Sequence, residues 1–295
     1  MSEVSDKVRT EFGKSDEIRD AGLTIPEDVE RYTDLVYGDD PDWQVLDVYR
    51  PACEQGKTLP VIVSIHGGGW VYGDKNLYQY YCMSLAQRGF AVVNFTYRLA
   101  PEFKFPASLE DTNLVMKWIL DNGADYGMDL TNIFGVGDSA GAHALGLYTA
   151  IYTNPAYAAE YDFTVPTGLN LRAIALNCGC YRITTDGEND RLTALLMQDL
   201  MPNGGDADEL ALITVTNHIT DKFLPTIYAT CPGDFLKDQA PILAERLMAN
   251  NIPHEFIFLG SNTNPLGHVF HLNMREPLGT VCNDLECEFF RRHIV

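Results

Sequence analysis

The stretch GVGDSAGAHALG, Gly135 to Gly146, sets one serine between two glycines directly after a short apolar run. The spacing Gly137-x-Ser139-x-Gly141 is that of a serine carried on a sharp strand-to-helix turn. There, side chains two residues to either side would collide with the neighbouring strand and helix, and glycine removes them. Ala140 and Ala142 keep the crossing tight. NIFGVGD (132–138) reads as a strand and AHALGLYTAIY as the helix that follows. A helix starting at this point aims its amides and dipole at the serine oxygen. Such a serine is a nucleophile only if the chain also supplies a base, an acid and an oxyanion site.

HGGGW (66–70) follows the buried run PVIVSIH (60–66). Three consecutive glycines weaken any regular element, but they let backbone amides approach a ligand oxygen. The amides of Gly68 and Gly69, joined by that of Ala140, are the candidate oxyanion hole. A base and an acid are expected later in the chain, in the order Ser, Asp or Glu, His. CPGDFLKDQ after PTIYAT (225–230) offers Asp234 and Asp238, and NPLGHVFHL after EFIFLG (255–260) offers His268 and His271. Asp234 lies nearer its strand end, whereas Asp238 opens a helix it could cap. Spacing favours Asp234 with His268 and leaves the other two as alternatives. Trp70 and Tyr72 are candidate walls of a substrate pocket. His66 and His143 read as structural, the first fixing the glycine loop. No metal cluster is expected, because Cys178-Gly-Cys180 lacks the paired spacing of a zinc site. No cofactor is expected either: the glycine run has no Lys-Ser or Lys-Thr after it to hold a phosphate.

Outward from these motifs, short apolar runs alternate with helical stretches. QVLDVYR (44–50) alternates polar and apolar residues and reads as a half-exposed strand. FAVVNFT (90–96) and RAIALNC (172–178) are near-continuous, as strands buried on both faces are. Helices are expected between these strands, at 108–123, and at about 237–250 and 279–293. The pattern predicts an α/β fold with a mostly parallel twisted sheet and helices on both faces, in one domain over 1–295. Residues 1 to about 40 and 183 to about 222 break the rhythm, the second with Pro202, Gly204 and Gly205, and are expected to form a small helical lid.

The chain carries 21 basic and 41 acidic residues, a net charge of −20. Such a surface repels phosphate backbones and anionic lipids, which excludes nucleic-acid and membrane partners from the expectation and favours a neutral small-molecule substrate. The start of the chain has no apolar leader, and no run approaches a membrane span. Seven scattered cysteines fit reduced thiols and a cytoplasmic setting. Pairing of two copies through an edge strand or the terminal helix is compatible with the pattern.

Taken together, HGGGW, YRLAPEFKFPASLED (97–111), GDSAG (137–141), DFLKD (234–238) and GHVF (267–270) resemble the hormone-sensitive-lipase-like carboxylesterase branch of the α/β-hydrolase family. YGDDPDWQVLDVYRPA (37–52) is similar to bacterial acetyl-xylan and feruloyl-type esterases. The resemblance implies Ser139 as nucleophile, His268 as base, Asp234 as acid, and Gly68, Gly69 and Ala140 as the oxyanion amides. It also implies a serine carboxylesterase for short-chain acyl esters, acetylated sugars among them, acting through an acyl-enzyme. The competing expectations are a peptidase or amidase on the same fold, and a ligand-binding member that lacks catalysis. One departure is Ala142, where the family usually has a further glycine.

Overall fold

The computed structural model describes residues 2–185 and 191–295. Its centre is an eight-stranded sheet in the order β1-β2-β4-β3-β5-β6-β7-β8. The strands are β1 (Val29–Val36), β2 (Val45–Pro51), β3 (Leu59–Ile65), β4 (Ala91–Phe95), β5 (Met128–Asp138), β6 (Leu171–Asn177), β7 (Thr226–Thr230) and β8 (His254–Phe258). β2 is antiparallel to both its neighbours, β1 and β4, and β3 through β8 are parallel. Parallel strands need crossovers, and helices supply them. They include α2 (Lys75–Gln87), α3 (Ala107–Asn122), α4 (Ala140–Thr153) with the short α5 (Pro155–Ala158), and α8 (Gln239–Ala249), while α9 (Pro277–Arg291) follows β8. Two more, α6 (Arg191–Leu200) and α7 (Ala207–Leu212), lie between β6 and β7, and α1 (Glu3–Asp20) precedes the sheet.

The continuous apolar runs have the burial they predict. Val61, Val63 and Ile65 enter one core layer and Ile62 and Val92 the other, because successive side chains leave opposite faces of a strand. β2 departs from the expectation of a half-exposed strand, since six of its seven residues are buried. Its polar positions face internal partners instead of water. Asp47 takes Lys75 Nζ at 2.9 Å and the Tyr49 hydroxyl at 2.6 Å. Arg50 donates to the carbonyls of Tyr126, Glu54 and Lys57.

The first 40 residues contain two different things. α1 lies over the carboxyl ends of the strands, whereas Val29–Val36 joins the sheet as its antiparallel edge and so is sheet, not lid. A bulge between Tyr32 and Leu35, with Asp34 at φ 58°, blurs the alternation that would have marked this strand. In the second expected lid segment, Gly204 and Gly205 adopt φ of 78° and 83°. The Glu209 carboxylate then accepts the amides of Asn203 and Gly205 and closes the turn between α6 and α7. Residues 186–190 of that segment lie outside the described residues. Among the described residues, no helix is long and apolar enough to cross a membrane.

Candidate active site

Ser139 stands between β5 and α4 with φ 51° and ψ −118°, a conformation that side-chain-bearing residues hold only when their surroundings enforce it. The neighbouring glycines do the enforcing. A Cβ at Gly137 would lie 2.6 Å from the Gly141 carbonyl oxygen, and one at Gly141 would run into the main chain of Ile65 and His66. The Ser139 amide is tied to the Asn177 carbonyl at 2.9 Å, which locks the turn to β6. Ala140 is the first residue of α4, so its amide has no acceptor within the helix.

The glycine run lies beside this turn. Gly68 has φ 122°, and a Cβ there would overlap the Tyr72 carbonyl. Gly68 and Ser139 line one cavity of about 220 Å³ with Tyr72 and His268. Gly69 has φ 61° and its open side faces Leu196 of α6. His66 holds the run from beneath. Its ring stacks on Tyr97 at 4.0 Å, its Nδ1–H donates to the Gly67 carbonyl at 2.7 Å, and burial pushes its pKa down to about 4. A second tie reaches the nucleophile turn: the Gly67 amide donates to the Tyr78 hydroxyl, which donates to Asp138 Oδ2, both at 2.8 Å. Burial pushes the Asp138 carboxyl up to about 7.

His268 Nδ1–H donates to Asp234 Oδ1 at 2.6 Å. Asp234 also accepts the Thr230 hydroxyl at 2.6 Å and the Leu236 amide at 2.9 Å. Burial works to raise this carboxyl, but His268 and the two smaller donors outweigh it and hold the group below its ordinary value. Of the alternatives, Asp238 is the residue before α8, and His271 is buried against Tyr81 with neither ring nitrogen bonded. Spacing favours the first pair, and the hydrogen bonding joins that same pair.

Tyr72 lines the cavity, and its hydroxyl donates to Asp16 Oδ2 at 2.9 Å. Trp70 does not line it. Its indole N–H donates to His143 Nδ1 at 3.1 Å, and His143 Nε2–H donates to the Ile213 carbonyl at 2.7 Å, which braces the glycine loop against the insertion. Sequence reasoning missed Phe12, Asp16 and Arg19 of α1, which also line the cavity. Their only signal was helical spacing within a polar segment. Cys178, Asp234 and His268 place ligand atoms within 4.8 Å of one another. A thiophilic cation could sit there only by displacing the proton between His268 and Asp234. Chemically, the site offers a hydroxyl on a strained turn, an imidazole oriented by a carboxylate, and unpaired main-chain donors at a small cavity.

The family described as BD-FAE matches residues 46–180. The chain is 26% identical over 264 residues to versiconal hemiacetal acetate esterase of Dothistroma septosporum, covering 81% of this chain and 78% of that protein. It is 35% identical over 127 residues to esterase LipC of Mycobacterium tuberculosis, a match over 43% of this chain and only 31% of LipC. Among solved structures, a C6-C4 Sn3-inhibited esterase B from Lactobacillus rhamnosis superposes with a TM-score of 0.88 at 26% identity, covering 98% of this chain and 96% of that one.

Proposed function

The chain belongs to the α/β-hydrolase carboxylesterases and is a carboxylic ester hydrolase, and from that premise we propose that it cleaves short-chain acyl esters, acetylated sugars among them, through Ser139, His268 and Asp234. The observation that carries the assignment is the 2.6 Å bond from His268 Nδ1 to Asp234, on a histidine that shares its cavity with Ser139. With Nδ1 committed to the carboxylate, Nε2 is the nitrogen left to take the serine proton. Ser139 Oγ attacks the ester carbonyl as that proton moves, and Asp234 stabilises the imidazolium that forms. The amides of Gly68, Gly69 and Ala140 receive the charge on the carbonyl oxygen. Each such donor contributes a factor of about 100 to 1,000 in turnover. The imidazolium then protonates the departing alcohol, and a water activated by the same nitrogen releases the acid.

A cavity of about 220 Å³ supports a small acyl group, as does the acetate ester in the name of the Dothistroma relative. α1 and the α6–α7 insertion form the lid, joined where the Ser5 hydroxyl donates to Asp199. Tyr72 contributes to the substrate wall and Trp70 braces the loop. Seven cysteines with no disulfide among the described residues support a cytoplasmic setting. Ser139→Ala lowers turnover of p-nitrophenyl acetate by about 1,000-fold or more, and a fluorophosphonate labels Ser139 in the wild type. Turnover that survives the substitution would end the assignment.

A further inference from the structure

Phe12, Ser15, Asp16 and Arg19 all line the cavity that holds Ser139 and His268. They are spaced i, i+3, i+4, i+7, so one stripe of α1 is turned toward the reaction centre. A helical stripe packed on an enzyme interior is ordinarily apolar, and placing an ion pair there costs desolvation that hydrophobic residues would avoid. Three of these four positions are polar. The pair is also built rather than incidental. Arg19 Nη1 donates to Asp16 Oδ1 at 2.8 Å, Nε and Nη2 grip Asp20 at 2.8 and 2.6 Å, and Nη2 reaches the Leu77 carbonyl at 2.8 Å. Tyr72 holds the other Asp16 oxygen at 2.9 Å.

The hydrogen-bond inventory leaves a defined remainder. A guanidinium has five N–H donors and a carboxylate about four acceptor sites. Among the described residues four Arg19 donors are engaged, which leaves one N–H on Nη1. Among the described residues, Asp16 accepts from Arg19 and Tyr72 alone. A donor and an acceptor therefore stand side by side on one wall. A hydroxyl group, which accepts and donates at once, satisfies both. A carboxylate would meet a net negative charge from Asp16, Arg19 and Asp20, and an ammonium group would meet the guanidinium beside Asp16.

On the reading of this cavity as the ester site, we infer that the Ser15–Asp16–Arg19 stripe of α1 selects short esters bearing a free hydroxyl, the monoesters of glycols and polyols. The stripe is a specificity determinant that touches the substrate without touching the reacting bond.

Glycerol 1-monobutyrate and propyl butyrate share an acyl group and differ by two hydroxyls, and transfer from water favours the second. The wild-type enzyme is expected to show kcat/KM at least 10-fold higher for the glycerol ester. Asp16→Asn and Arg19→Gln each shrink that ratio by about 10-fold, the scale of one hydrogen bond to a charged group. Tyr72→Phe, which frees the Asp16 carboxylate to turn, shrinks it less. A wild-type ratio of one or below overturns the inference with no variant needed, and so does a preference that survives both Asp16→Asn and Arg19→Gln. Failure of a fluorophosphonate to label Ser139 brings down the reading of the site itself, whereas labelling without preference brings down this inference alone.

Discussion

His66, His143 and His271 are buried, and desolvation holds their pKa values at about 4, 4 and 3, so at neutral pH they are uncharged scaffolding. His268 differs in having a carboxylate partner and a place on the cavity wall. Replacing Asp234 by Asn keeps the volume but leaves Nδ1–H facing an amide that can also donate. Asp234→Asn is expected to cut turnover of p-nitrophenyl acetate by about 10,000-fold, through the wrong tautomer, while the fold is retained. Retention of more than a tenth of wild-type turnover would count against Asp234 as the partner. At this scale the sequence favours Asp234 over Asp238 only by its place nearer the end of β7. What adds to that are the Thr230 hydroxyl and the Leu236 amide, contacts that no spacing rule reports.

The turn at Ser139 shows why one element was readable in advance. Its requirement is local: a side chain at Gly141 has nowhere to go but the main chain of β3 and the glycine run. Gly141→Ala is expected to destabilise the protein by about 1–3 kcal/mol, the range for overpacking against atoms that cannot move. Gly267→Ala meets nothing within 4 Å and is expected to stay within about 0.5 kcal/mol of wild type. Urea unfolding of the two variants side by side checks the contrast. β2 was misread for the opposite reason. Polar alternation along a strand shows where the polar groups point, not whether water or Lys75 waits there. The cavity-facing stripe of α1 is not legible in the sequence, because a helix on a polar stretch gives no sign of which turn meets a cavity.

Over the whole molecule, buried titratable groups of opposite sense set the response to pH. Asp138 and Glu286 are carboxyls that burial pushes up to about 7. With folded values above unfolded ones, their contribution is fully present below about pH 4 and is lost as pH rises through 7. The three buried histidines have folded values below the unfolded one. The unfolded chain takes up their protons first, so stability is lost as pH falls below about 6.5 toward 4. The two trends cross, and these five groups place a stability maximum between about pH 6 and 7. Thermal unfolding across pH 4.5 to 8 checks this. Glu286→Gln moves the maximum upward and His271→Phe moves it downward, and a maximum that neither substitution moves would show that other groups set it.

The docking of α1 has one more consequence. Arg9 grips the carbonyls of Val71 and Ala100 at 2.7 and 3.0 Å, and Arg275 reaches across to the carbonyls of Arg19, at 2.6 Å, and Ala21. These four handles are main chain, so the identity of the residue that bears each is immaterial to that part of the fastening, which Arg9 reinforces with a side-chain pair to Glu102. This part of the mounting is separate from the message written on the inner side of the helix. Ser15, which makes none of these bonds, could be exchanged for another letter without loosening the bolts, and the same chassis would then accept a different alcohol.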